Sequence, residues 1–146
     1  MLVSEGKKCA DDAAGFDNYA SVTRMGGCNA LSQTDLTPLA RRDVIILPDH
    51  DELGQAAATQ LEHRLREVGA ASIRRLDIVR LAENCGLKAV AKFDMADAIA
   101  AGLDTARFDN LLAMPGMLID VVAKAAQPAG DFAPLPEDPV QCEILA

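Results

Sequence analysis

The stretch Val44-Ile45-Ile46-Leu47-Pro48-Asp49-His50-Asp51-Glu52-Leu53-Gly54, with its continuation to Val68, decides the fold. Val44 to Leu47 is apolar at every position and mostly β-branched, which favours a strand. A strand without polar alternation is buried on both faces, as in a parallel sheet covered by helices. From Glu52 the period changes. Leu53, Ala57, Leu61, Leu65 and Val68 recur at steps of four, four, four and three, the apolar stripe of a helix. Glu62, Arg64 and Glu67 fall off that stripe, and Gly69 ends it. The segment therefore reads as a buried strand running into an amphipathic helix, with two aspartates at the junction.

Upstream, Met1 to Ser4 is a short apolar start that ends in Glu5-Gly6, and Lys7 to Ala14 reads as a helix. Tyr19 to Met25 reads as a strand closed by Gly26-Gly27. Residues 28–42 are polar, contain Thr37-Pro38, and read as a loop around a short helical turn. Downstream, Ser72 to Val79 is a strand candidate with Ile73, Leu76 and Ile78 apolar. Asp94 to Ala101 is expected to be a short helix ended by Gly102. Thr105 to Met114 and Met117 to Ala126 are expected to be helices, parted at Pro115-Gly116. Strands alternating with helices imply an α/β, Rossmann-like fold: a mostly parallel sheet flanked by helices on both faces. No internal repeat is visible. Pro128, Pro134, Pro136 and Pro139 mark residues 127–146 as a tail or linker, so the domain is expected over residues 1–126.

A chain of 146 residues has room for one domain and a core. Half of it is apolar, yet Trp is absent, with one Tyr and four Phe, so the core must be built from Ala, Leu, Ile and Val. No apolar run approaches the ~20 residues needed to cross a bilayer, and residues 1–6 are too short for a signal sequence. A cytoplasmic protein without membrane contact is the expectation. The net charge of −8 does not attract nucleic acid to the chain as a whole. Such contact would need a metal ion, a local basic patch or a neighbouring domain. Cys9, Cys28, Cys85 and Cys142 form no C-x-x-C pair, and His50 and His63 complete no zinc pattern. Reduced, mostly buried thiols are expected.

The chemistry is expected where the Val44 strand ends, because ligands of α/β sheets bind outside the carboxyl ends of strands. Asp49 and Asp51, two residues apart on extended backbone, point the same way, with Cα atoms about 6.6 Å apart. Both can reach one cation, and without one their like charges raise a pKa. Oxygen ligands alone favour Mg²⁺ or Mn²⁺ over zinc. The competing reading is capping: Asp51 suits the N-cap of the helix from Glu52, and Asp49 suits a turn. His50 alternates away from the aspartates and is expected in solvent. If the Met1 strand lies parallel beside the Val44 strand, Glu5 joins the same edge, with Gly6 permitting close backbone approach. Taken alone, Glu5 suits a helix start. Arg64, Arg66, Arg74 and Arg75 offer a basic cluster for a nucleic-acid backbone, against the plainer reading of a solvated face paired with Glu62 and Glu67. Cys9 has no basic partner beyond the lysines beside it, which disfavours a nucleophile.

Leu2-Val3-Ser4-Glu5-Gly6-Lys7-Lys8-Cys9-Ala10-Asp11 resembles the first motif of Toprim domains, above all those of phage and plasmid DNA primases and primase-helicases. Val44 to Ala58, with its P-D-x-D-x-x-G, resembles the second motif, and Thr37 to Asp43 the loop before it. Lys92-Phe93-Asp94-Met95-Ala96-Asp97-Ala98-Ile99 is similar to a later segment of the same group. The match covers roughly residues 1–103. The resemblance implies Glu5 as the general acid/base or a further ligand, Asp49 and Asp51 as Mg²⁺ ligands, and Asp94 and Asp97 as auxiliary acids near a second ion. It also implies that Lys8 contacts phosphate, and that DNA or nucleotides are bound in nucleotidyl or phosphoryl transfer for DNA replication.

Three departures stand out. Lys7 replaces a frequent Glu, and Leu53 a frequent Pro. The zinc-binding module and the further catalytic subdomain that precede the first motif in such primases are not in the chain. It is therefore expected to belong to a longer polypeptide or to work with a primase or helicase partner. Two other readings compete. One is a non-catalytic Toprim-like module that binds nucleic acid or a protein. The other is a haloacid-dehalogenase-like phosphotransfer protein, whose D-x-D is usually followed by Gly-Thr rather than by Glu52-Leu53.

Overall fold

Val44, Ile45, Ile46 and Leu47 are all buried, as a strand apolar at every position requires. They form β3 (Asp43–Leu47) in a five-stranded sheet with β1 (Leu2–Ser4), β2 (Ser21–Thr23), β4 (Ser72–Leu76) and β5 (Leu118–Asp120). The structure is a computed structural model that describes residues 1–24 and 31–121. The strand order is β2-β1-β3-β4-β5. The first four strands run parallel, and β5 pairs antiparallel with β4. The chain is thus α/β and Rossmann-like, with α1 (Lys7–Ala13), α2 (Glu52–Glu67), α3 (Ile78–Asn84), α4 (Met95–Ala100) and α5 (Thr105–Leu112) flanking the sheet.

Alternation along the strands divides the core in two. Leu2, Ile45 and Leu76 face one side, against Cys9 and Ala13 of α1, Leu81 of α3, Met95 of α4 and Phe108 of α5. Val3, Val44, Ile46 and Ile73 face the other side, against Ala58, Leu61 and Leu65 of α2. Leu31, Leu36 and Leu39, before β3, close that second core. The described part of the expected loop, from Leu31 on, is therefore packed down, with a short 3-10 turn at Thr37–Leu39 as anticipated. Three aromatic residues meet on one face: Phe16 stacks on Phe108 at 4.6 Å and Tyr19 meets the same ring edge-on at 5.4 Å.

Two expectations are corrected. The strand from Ser72 ends at Leu76 rather than Val79. Asp77 accepts hydrogen bonds from the amides of Val79 and Arg80 and starts α3, so Ile78 is a buried helical residue. The expected helix from Met117 is instead β5, formed after the turn at Gly116, whose φ is +77°. β4 has an open edge, and pairing Leu118–Asp120 against Leu76–Arg74 satisfies it. Residues 122–126 of that expected helix, the tail 127–146, Cys28 and Cys142 lie outside the described residues. No helix among the described residues is long and apolar enough to cross a membrane.

Candidate metal centre

β1 and β3 are parallel neighbours paired Ser4 to Leu47, so Glu5 and Asp49 leave the sheet at one edge. The connections also part there. β1 leads through α1 outward to β2, and β3 leads through α2 the other way to β4. That is a topological switch point, where the carboxyl ends of an α/β sheet open a crevice.

Asp49 is half-buried, and its carboxyl is pushed up to about 7. Burial is the largest cause, followed by the negative charges of Glu5, Asp94, Asp51 and Asp97. Four other carboxylates therefore act on this one. Glu5 is half-buried too, and its Oε2 is buried without a hydrogen-bond partner. Such an oxygen is costly to keep where neither water nor a donor reaches it.

Each carboxylate is brought in by a different element. Asp51 is the N-cap of α2, with Oδ1 accepting from the Gly54 amide at 2.6 Å. Asp94 caps α4 in a reciprocal box: its Oδ1 accepts from the Asp97 amide, and Asp97 Oδ2 accepts from the Asp94 amide, both at 3.1 Å. The capping reading of Asp51 is thus correct, and it coexists with membership of the charged group. Asp94 and Asp97 reach the edge through a backbone bridge. The His50 amide donates to Phe93 O at 2.8 Å and the Lys92 amide to His50 O at 3.0 Å. His50 is consequently half-buried rather than in solvent, with Nδ1 3.0 Å from Val90 O.

Glycine works differently from expectation. A Cβ on Gly6 would meet nothing within 4 Å, so no close approach occurs there. A Cβ on Gly54 would lie 2.8 Å from both Asp49 Cβ and Asp49 O. The first turn of α2 therefore rides directly on Asp49, and only glycine allows it.

The basic candidates are less concentrated. Lys7 pairs with Asp11 at 2.5 Å, and Lys8 is exposed on α1 just beyond the centre. Arg74 and Arg75 are successive on β4 and face opposite sides of the sheet, so they form no joint patch. Arg75 is taken up by Glu62, Gln55 and Thr59. Arg64 pairs with Glu67, as the paired-face reading has it, and also bonds to Leu31 O, whereas Arg66 bonds to Val121 O and Glu62 is buried rather than solvated. The Cys9 thiol is buried, and burial pushes it up to about 11, an inert thiol. Unforeseen in the sequence is buried Arg24, which with Glu5, Pro48 and Gly54 lines a cavity of about 10 Å³ under the crevice. That space holds no more than a water molecule. Any substrate would sit outside it, on the open edge.

Among the described residues no three His, Cys, Asp or Glu side chains stand close enough together to hold a metal ion as they are. The donor set nevertheless fits a hard divalent cation in kind: oxygens only, one orphaned and one pushed toward its neutral form by burial and by its neighbours. Comparison with known proteins gives no match: no family model, curated protein or solved structure matches the chain.

Proposed function

We propose that this chain is a Toprim-type domain that binds Mg²⁺, or Mn²⁺, at its carboxylate edge. In this reading it serves nucleotidyl or phosphoryl transfer on nucleic acid, as part of a DNA primase or primase-helicase in the cytoplasm. The observation that carries the reading is Asp49, raised to about 7 with Glu5, Asp94, Asp51 and Asp97 acting on it at a sheet switch point. Burial and the neighbouring negative charges oppose the ionised form of Asp49 in the free protein, and a cation would reverse that. In this reading Asp49 and Asp51 hold the ion, Asp94 and Asp97 add negative charge beside it, and Lys8 meets phosphate. A bound divalent ion supplies positive charge where phosphoryl oxygens become more negative. Glu5, with its orphaned Oε2, is placed to take up or return a proton at that edge.

The acidic surface makes a second consequence testable. With a net charge of −8, the chain repels a phosphate backbone unless cations intervene. Fluorescence anisotropy of a labelled single-stranded DNA or nucleoside triphosphate is expected to rise with Mg²⁺ and to fall on adding EDTA. It is expected to stay flat for Asp49→Asn/Asp51→Asn. Binding that ignores both EDTA and the substitutions would overturn the metal-dependent reading. One observation favours a second reading, a non-catalytic Toprim-like module. Asp51, Asp94 and Asp97 each spend an oxygen on capping a helix. Metal binding without any strand synthesis or cleavage, even with a primase or helicase partner added, would select it.

A further inference from the structure

Arg75 rises from β4 on the α2 side and spends its guanidinium inside the protein. Nε donates to Glu62 Oε1 at 2.6 Å, Nη1 to Gln55 Oε1 at 3.1 Å and Nη2 to Thr59 Oγ1 at 3.1 Å. Gln55 passes the contact on: its Nε2 donates to the main-chain oxygen of Asp49 at 3.1 Å. Guanidinium has donors only, so it accepts no amide N–H. Arg75 therefore fixes which end of the Gln55 amide faces it, and that sets the donor end on Asp49. Glu62, with its side chain 8% exposed, anchors Arg75 from the third turn of α2.

An ion pair this buried is a poor way to hold a helix on a sheet. Two apolar side chains of similar volume would do as well or better, since the pair costs desolvation. The arrangement accounts for itself if its output is placement rather than stability. Gly54, pressed against Asp49, and Gln55, bonded to the Asp49 carbonyl, clamp the same residue from adjacent positions. We propose that Gln55 and Arg75 are positioning residues for the carboxylate centre, fixing the main chain of Asp49 so that its carboxylate meets a cation in one geometry. This rests on the reading of that centre as a divalent-cation site.

The test uses Gln55→Met, the neutral pair exchange Glu62→Met/Arg75→Met, and the triple combination. Three readouts apply to each: melting temperature, Mn²⁺ dissociation constant, and amide hydrogen exchange at His50 and Gly54 in metal-free protein. Gln55→Met is expected to melt like wild type and to bind Mn²⁺ about tenfold more weakly, as for loss of an outer contact to a ligand residue. Exchange at His50 and Gly54 is expected to quicken. The pair exchange should give the same loss, and the triple variant little more, because one relay can be broken only once. Gln55→Ala, which suits a helix, repeats the truncation should methionine disturb packing. Unchanged Mn²⁺ affinity and exchange in a stable Gln55→Met, or losses that add in the triple variant, would overturn the relay. If wild type binds no Mn²⁺, the cation reading fails by itself, and the exchange rates alone then decide whether Gln55 and Arg75 hold Asp49.

Discussion

Asp49 holds a charge that its surroundings oppose. Its ordinary value of 3.8 becomes about 7 in the fold. Between those two values the folded state binds more protons than the unfolded one, so this residue's contribution to stability falls as pH rises from about 4 to about 7. Without divalent cations, Asp49→Asn is therefore expected to be more stable than wild type at pH 8, and the difference should vanish below pH 4. For a half-exposed group screened by solvent the gain is about 1 kcal/mol, or about 4 °C in melting temperature. Scanning calorimetry at both pH values checks it, and a gain that is the same at both would contradict the cause. Gly54 makes the opposite kind of prediction. Gly54→Ala drives a methyl to within 2.8 Å of Asp49. It is expected to cost about 1–3 kcal/mol in urea denaturation through overpacking. At this scale the sequence displayed the acids but not their support. D-x-D and Glu5-Gly6 could be read directly. Gln55, Arg75 and Arg24 could not, because polar residues on a helix, a strand and a loop give no sign of meeting until the chain is folded.

The elements were legible where one signal ruled. β3 and α2 follow from an unbroken apolar run and an apolar stripe, although Leu53 at the head of that stripe is exposed and Glu62 beside it is buried, and α2 departs from its expected end only at Val68, its C-cap. Legibility failed where tertiary context chose. Ile78 looks like the last apolar residue of a strand, yet Asp77 turns the chain into α3. Leu118 to Asp120 has helix-compatible residues on either side, yet the open edge of β4 takes it as a strand. The bridge from His50 to Phe93 was equally hidden, since a two-residue pairing leaves no periodic trace. Two predictions belong to this scale. Asp94→Ala removes the bond that the Asp94 side chain accepts from the Asp97 amide in the α4 capping box and is expected to cost about 1 kcal/mol in urea denaturation. Arg75→Met alone strands a buried Glu62 and is expected to cost about 3–5 kcal/mol, whereas Glu62→Met/Arg75→Met should lie near wild type. Equal costs for the two would show that Glu62 is not held by Arg75 in the folded protein.

Across the whole molecule, the fold class follows from the order of elements, whereas the parallel pairing of β1 with β3 was only a condition in the sequence and is supplied by the sheet. The sheet order adds what no single segment contains: the edge lies where the two halves of the sheet diverge. The core on the α2 side is aliphatic, as expected from the scarcity of aromatic residues, whereas the other face also buries Phe16, Phe93 and Phe108. In the proposed reading, a cation at this edge would offset the negative charge that Glu5, Asp51, Asp94 and Asp97 bring to bear on Asp49. The most direct test is a calorimetric Mn²⁺ titration at pH 8 of wild type against Asp49→Asn/Asp51→Asn. Asn caps a helix as well as Asp, so the variant should keep its fold. Saturable binding by wild type at millimolar concentration or below, lost in the variant, is the expected result. Absence of binding by folded wild type, or equal binding by both proteins, would contradict a divalent-cation centre at this edge.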